Sequence, residues 1–227
     1  MASASRRITR KQLRQPDWLH IATEQALEFY EGNRVVALVA VVIVLVVILG
    51  FWGWQTFKEN QDVQAAQEFS RAMNLYQTGK YRAAVPAFQK AETYRWSHYS
   101  LLAHLYEANS YLAIHDFDKA IAAAERFIAG TSSDSLYRQM GLLAVADAEE
   151  QKNDCKQAIA NYSRAALIKA ALRERAVLGK ARCSEQLGDT KDAIAGYKEY
   201  LNDNPDPSLA MRVAQLEAKG GGQAAGK

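Results

Sequence analysis

Residues that interrupt helices are scarce in this sequence. Of its 227 residues, 4 are proline and 13 are glycine. These two residues are the most costly in a helix interior, so their scarcity favours helix. The formal net charge is only +3, which argues against nucleic-acid binding, because that normally needs a strongly basic face. The composition predicts an all-α protein without a nucleic-acid partner.

Motifs of catalytic chemistry are also lacking. The chain contains no GxSxG turn, no HExxH pair, no phosphate-binding loop and no dinucleotide fingerprint. The histidines His20, His98, His104 and His115 are scattered, and no pair lies four residues apart beside a third carboxylate ligand. The sequence therefore predicts no catalytic residue, no metal site and no cofactor, and a protein that is not an enzyme.

One long apolar segment stands out. The run Val35–Trp54 carries no charged residue. As a helix rising ~1.5 Å per residue it would span roughly 30 Å, the thickness of a hydrocarbon core. A buried core helix and a cleaved signal peptide are the alternatives, but the run is long for the first and lacks the small-residue cleavage site of the second. We predict a single transmembrane helix over residues 35–54.

Flanking cations predict how this helix is oriented, because loops rich in Lys and Arg stay in the cytoplasm. Beyond the apolar run, Lys58 and Arg71 are the nearest cations. Before it stand Arg6, Arg7, Arg10, Lys11, Arg14 and Arg34. Residues 1–34 are thus predicted to form a basic cytoplasmic arm with an amphipathic helix, which either lies on the inner leaflet or leads, solvated, into the anchor. The C-terminal part would face outwards, into the periplasm of a Gram-negative bacterium.

The remainder of the chain is internally repetitive, which indicates stacked units. Residues typical of turns recur at Gly79, His115, Asn153 and Gly188. Each is followed by an alanine, at Ala84, Ala120, Ala158 and Ala193. Each is preceded by another, at Ala72, Ala108, Ala146 and Ala181. Both alanine series are spaced by 36, 38 and 35 residues, which predicts helix-turn-helix units.

This pattern resembles the tetratricopeptide repeat, a helix-turn-helix unit of about 34 residues. The resemblance covers about residues 62–208, with His115 and Asn153 departing from the usual turn glycine. It implies small residues where helices cross, and larger ones, such as Phe88, Tyr162 and Tyr197, between units. We predict a solenoid domain of about four repeats over residues 55–208, and a helix end with a disordered tail over residues 209–227.

The resemblance also implies a concave groove lined by the first helix of each repeat. Its apolar end would present Phe69, Met73, Tyr76, Leu102, Leu105, Asn109 and Leu112. Its charged end would present Asp147, Glu150, Arg175, Leu178, Arg182 and Glu185. We predict that partner proteins bind here through nine residues, the seven of the apolar end together with Arg175 and Arg182. For the apolar set, the alternative is packing within the chain.

Cysteine is limited to Cys155 and Cys183, without a CxxC pair for a local zinc or redox site. In the implied repeats, Cys155 opens the second helix of the third unit and Cys183 lies late in the next helix. Antiparallel packing of these helices would allow a disulfide, which an oxidising compartment permits. The alternative is two small buried thiols.

The layout resembles the YfgM-like ancillary subunit of the SecYEG translocon. In that family, a sequence like Glu31–Arg34 leads into an anchor that ends like Gly50–Trp54. The resemblance implies an inner-membrane protein that assists translocation or periplasmic chaperoning, with translocon subunits, chaperones and unfolded exported proteins as partners. The alternatives are a scaffold holding one dedicated partner in a secretion, division or electron-transfer complex, and an enzyme with a site that the motifs do not reveal.

Overall fold

A computed structural model describes the backbone of residues 34–224 and the side chains of residues 34–219. The predicted arm over residues 1–34 therefore lies outside the described residues, apart from Arg34. The described part is helical and contains no strand. Its helices are α1 (Arg34–Gln77), α2 (Tyr81–Glu92), α3 (His98–Ala113), α4 (Phe117–Ala129), α5 (Leu136–Gln151), α6 (Cys155–Leu167), α7 (Arg173–Gln186), α8 (Thr190–Asp203) and α9 (Pro207–Ala224).

The chain divides into two compact units, residues 1–57 and 58–227. In the first unit, the apolar side chains of α1 are exposed from Val35 to Trp54. Within residues 34–224, α1 is the one helix that is long and apolar enough to cross a membrane, by length and composition.

The second unit consists of helical hairpins that end in the same turn. Gly79, His115, Asn153 and Gly188 all adopt positive φ, between 61° and 80°. After each, an amide bonds back to a carbonyl five residues earlier, as Lys80 does to Leu75 and Asp189 to Ser184. This is the Schellman arrangement, which satisfies the last carbonyls of a helix. The four turn positions predicted from the sequence are confirmed, and His115 and Asn153 adopt the glycine-like conformation.

Small residues lie where the two helices of a hairpin cross. All eight alanines of the two predicted series are at most 2 % exposed. The large residues predicted to fill the space between units are also buried, namely Phe88, Tyr162 and Tyr197. Phe127 has the same role in the second repeat, which the sequence pattern did not indicate. Burying each such ring contributes about 1.5–3 kcal/mol, so the solenoid is stabilised between repeats as well as within them.

The last helix closes the stack. On α9, Val213 and Leu216 pack against Ala193 and Tyr197 of the fourth repeat. Without this helix, the apolar face of the last repeat would be left in water, which is why solenoids need capping units. Helix α9 continues past Gly220 to Ala224, within the segment for which the sequence predicted a disordered tail.

Candidate partner-binding groove

The first helices of the repeats line one continuous face. Helix α3 contacts α5, and α5 contacts α7, whereas the second helices α2, α4, α6 and α8 do not contact one another in the described chain. The first helices therefore form the tighter, inner face of the curve. Two adjoining cavities open on this face, one of about 480 Å³ between α5 and α7 and one of about 210 Å³ that also reaches α3.

Ion pairs between successive first helices line the larger cavity. Arg175 pairs with Asp147, and Arg182 binds Glu150 through two hydrogen bonds of 2.8 and 2.9 Å. One unit further on, Arg212 of α9 pairs with Glu185. We call these six residues the charged groove. Their carboxylate side chains are 16–20 % exposed and the arginine side chains 45–59 %, so the groove presents mainly guanidinium groups to solvent.

Two buried tyrosines support these carboxylates from below. The hydroxyl of Tyr162 donates to Asp147 or Glu150, which lie 2.7 and 2.5 Å away. The hydroxyl of Tyr197 lies 2.7 Å from Glu185. Each acidic side chain is thus held between a buried hydroxyl and an exposed guanidinium. This arrangement fixes the rotamers of the groove residues before any partner arrives.

These contacts shift the pKa values of the groove carboxylates and of the tyrosines beneath them. Burial alone would raise the pKa of Glu150, but the hydrogen bonds from Arg182 and Tyr162 outweigh it and lower that pKa. The pKa of Glu185 is lowered in the same way by Arg212 and Tyr197. Burial, followed by the nearby carboxylates, raises the pKa of Tyr162 and of Tyr197. At neutral pH the carboxylates of Glu150 and Glu185 are therefore ionised, and the two tyrosines are neutral donors.

The apolar end is largely filled by the chain itself. Phe69 packs its ring against Phe88, Tyr99 and Tyr106, with ring centroids 5.5–5.7 Å apart. Tyr76 contacts Tyr81, Phe88 and Tyr106. Of the seven residues predicted for this end, only Leu105 is buried, and the other six are half-buried, namely Phe69, Met73, Tyr76, Leu102, Asn109 and Leu112.

The smaller cavity joins the two ends of the groove. Leu105 and Asn109 line one side, and Asp147 and Arg175 the other. Leu105 is only 3 % exposed, so it forms the floor, while Asn109 is more accessible. Of the nine residues predicted to bind partners, the structure brings Leu105, Asn109, Arg175 and Arg182 to these cavities. Partner binding at all nine stays a prediction.

Sequence reasoning missed two features. One is the support of groove carboxylates by tyrosines, which has a signal in the repeat spacing. Glu150 and Glu185 each come four residues after a first-helix alanine, and Tyr162 and Tyr197 each come four residues after a second-helix alanine. The other is a polar cluster between the first two repeats, Glu92, His104 and Glu107. No metal site was predicted, because these residues lie on two helices.

The predicted disulfide is present. Cys155 and Cys183 are bonded, with their Cα atoms 5.0 Å apart, and both are buried. The bond connects the start of α6 to the end of α7, and so links the third repeat to the fourth beside the charged groove.

Comparison with known proteins identifies the repeat. A family model described as a tetratricopeptide repeat-like domain matches residues 28–136, a range that includes the apolar run. A second, described as a tetratricopeptide repeat, matches residues 143–208. Among curated proteins, none matches.

Solved structures share the architecture. The crystal structure of the MamA protein is 16 % identical, with a TM-score of 0.60, and the match covers 70 % of this chain and 82 % of MamA. A putative kinesin light chain from Podosopora anserina with nearly identical TPR-like repeats is 14 % identical, with a TM-score of 0.57, and the match covers 69 % and 88 %. At these identities the likeness shows the fold alone. The repeated turns, the buried alanines and the two family matches together identify the chain as a tetratricopeptide repeat protein.

Proposed function

We propose that this chain is a membrane-anchored protein–protein interaction module that assists proteins during or after export across the bacterial inner membrane. The observation that carries the proposal is the open groove, in which guanidinium groups are held outward beside an apolar floor. Tetratricopeptide repeats act through protein partners, and no catalytic arrangement was predicted for this chain. The translocation or chaperoning role extends the resemblance to the translocon subunit.

The exposed apolar helix supports the anchor. Between Val35 and Trp54 the large apolar side chains are 44–77 % exposed. Leaving that surface in water would cost about 25 cal/mol for each Å², and a bilayer removes the cost. The family match that begins at residue 28 takes in this helix together with the first repeats.

Charge and redox chemistry support the proposed compartment. The excess of Lys and Arg before the helix favours a cytoplasmic N-terminus and an exported repeat domain. The disulfide between Cys155 and Cys183 agrees with this orientation, because such bonds persist in oxidising compartments such as the periplasm.

The groove suits extended polypeptide segments. Arg175 and Arg182 retain donors that their own carboxylates do not use, and guanidinium groups bind carboxylates and carbonyls well. The apolar floor at Leu105 accepts small apolar side chains. Unfolded clients lose conformational entropy on binding, so we expect weak and broad affinity.

A second candidate is a scaffold for one dedicated partner. The observation that favours it is the fixed order of the groove, where each arginine is already oriented by a carboxylate and each carboxylate by a second donor. Such preorganisation reduces the cost of ordering side chains on binding and suits a specific complex.

Co-purification from membranes tests the proposal. Asn109→Trp is designed to fill the smaller cavity, and Lys169→Trp places the same side chain on an exposed loop residue. Detergent extracts from crosslinked cells would be compared by mass spectrometry for wild type and both variants. We expect Asn109→Trp alone to lose translocon, chaperone and exported proteins. Retention of all these partners by Asn109→Trp would reject the groove as the binding site, and loss of a single non-export complex would favour the scaffold.

A further inference from the structure

A cluster of potential metal ligands lies outside the groove. Glu92 is the last residue of α2, while His104 and Glu107 lie three residues apart on α3. One ligand atom from each of the three lies within 4.8 Å of the other two. The cluster therefore connects the second helix of the first repeat to the first helix of the second.

Two buried polar atoms in this cluster make no hydrogen bond. Oε1 of Glu92 and Nδ1 of His104 are fully buried, and neither makes a hydrogen bond. Nδ1 lies 3.1 Å from the other oxygen of Glu92 without hydrogen-bond geometry. Such atoms are uncommon in folded proteins, because water is lost and nothing replaces it, and an unoccupied ion site is one of the recognised reasons for them.

The cluster contains two carboxylates, which favour a bound cation. The side chain of Glu107 is 1 % exposed and accepts hydrogen bonds from Gln89 at 2.8 Å and Arg126 at 2.5 Å. Arg126 contacts Glu107, whereas Glu92 lies against His104 and adds a second carboxylate to the cluster.

A cleft lies beside the cluster. It has a volume of about 670 Å³ and is lined by Glu92, His104, Arg126 and Ser100, among others. An ion held by the cluster would therefore face an opening large enough for a water ligand or for a group from another molecule. Zinc sites that keep an open position typically have three protein ligands and a water molecule or substrate as the fourth.

We propose that Glu92, His104 and Glu107 bind one divalent transition-metal ion of the zinc class. Imidazole nitrogen and carboxylate oxygen both bind Zn²⁺ at about 2.0–2.2 Å, in tetrahedral sites that can leave one position open. The imidazole disfavours Mg²⁺ and Ca²⁺, which prefer oxygen ligands alone. A carboxylate has more lone pairs than Gln89 and Arg126 use, so Glu107 can keep these contacts and bind the ion.

Such an ion would fix the angle between the first two repeats. It bridges α2 and α3 in the half of the domain that lacks the disulfide, which connects only the third and fourth repeats.

Titration of the full chain with ZnCl₂ tests the proposal. Untagged protein in detergent micelles would be titrated calorimetrically at pH 7 after treatment with a chelator and buffer exchange, and its Tm followed with and without Zn²⁺. We expect one ion per chain, a rise in Tm on adding Zn²⁺, and no response to MgCl₂. Absence of zinc binding by the wild-type chain would overturn the proposal.

Matched variants locate the ion. His104→Gln and Glu92→Gln should each weaken zinc binding at least 10-fold and abolish the rise in Tm. His98→Gln, at an exposed position on the same helix, should leave both unchanged. Circular dichroism at 222 nm checks that each variant is folded. Undiminished binding by folded His104→Gln and Glu92→Gln would place the ion elsewhere and reject this site.

Discussion

The hydroxyl oxygen of Tyr162 lies 2.5 Å from the carboxylate of Glu150, beneath the groove surface from which Arg182 binds the same carboxylate. Replacing Tyr162 by phenylalanine keeps the buried ring and removes only the hydroxyl. Because hydrogen bonds to charged groups contribute about 1.5–3 kcal/mol, we expect Tyr162→Phe to lower the free energy of unfolding by about that amount in urea denaturation.

Tyr137→Phe is the matched control. Tyr137 is half exposed and its ring contact with Phe127 survives the change, so its effect should stay within about 0.5 kcal/mol. Equal effects of the two substitutions would show that the buried hydroxyl has no special role.

Gly179 lies directly against this tyrosine. A Cβ at position 179 would stand 2.4 Å from the ring of Tyr162, which is fully buried and cannot move aside. Alanine gains about 1 kcal/mol in helix propensity, but overpacking costs about 1–3 kcal/mol or more. We therefore expect Gly179→Ala to lower the Tm of the repeat domain. Gly53→Ala, where a Cβ meets nothing within 4 Å, should not lower it.

The disulfide should contribute measurably to stability. It closes a loop with a sequence separation of 28, which corresponds to about 3–4 kcal/mol of chain entropy in the unfolded state. We expect reduction by dithiothreitol, or the double change Cys155→Ala and Cys183→Ala, to lower the Tm by several degrees. If dithiothreitol lowers the Tm of the double variant by as much as it lowers the Tm of the wild type, the effect does not come from this bond.

Glu107 should make stability depend on pH. Its pKa is raised above the ordinary value of 4.5, first by burial and then by Glu92. The stability that Glu107 contributes is therefore fully present below about pH 4.5, and it is lost as the pH rises through the raised pKa. With a chelator present, Glu107→Gln should gain stability relative to wild type as the pH rises from 4 to 8. A difference in free energy of unfolding that is constant or shrinks with pH contradicts this.

The repeat could be predicted from the sequence because its signals are local. The turns at Asn153 and Gly188 need a residue that tolerates positive φ, and helix crossings need alanine, so both recur at the repeat spacing. The disulfide followed from the register of these helices. The packing of the two helices within a hairpin recurs with the sequence repeat, so the structure of one repeat predicts that of the next.

Contacts between repeats were harder to predict. Helical periodicity places Phe69 and Tyr76 on the face of a first helix, but it does not show that neighbouring rings cover them. Glu92 lies close to His104 only because α2 ends at Glu92 and a short loop then reverses the direction of the chain. Arg212 reaches Glu185 from a helix beyond the recognised repeats, where no pattern indicated a groove residue.

Site-specific photo-crosslinking from position 109 in intact cells tests the central claim most directly. Asn109 lines the cavity that joins the two ends of the groove, whereas Ala122 is exposed on α4, away from it. We expect adducts of exported proteins and of translocon or chaperone subunits from position 109, and far fewer from position 122. Equal adducts from both positions, or a single adduct from an assembly unrelated to export, would contradict it.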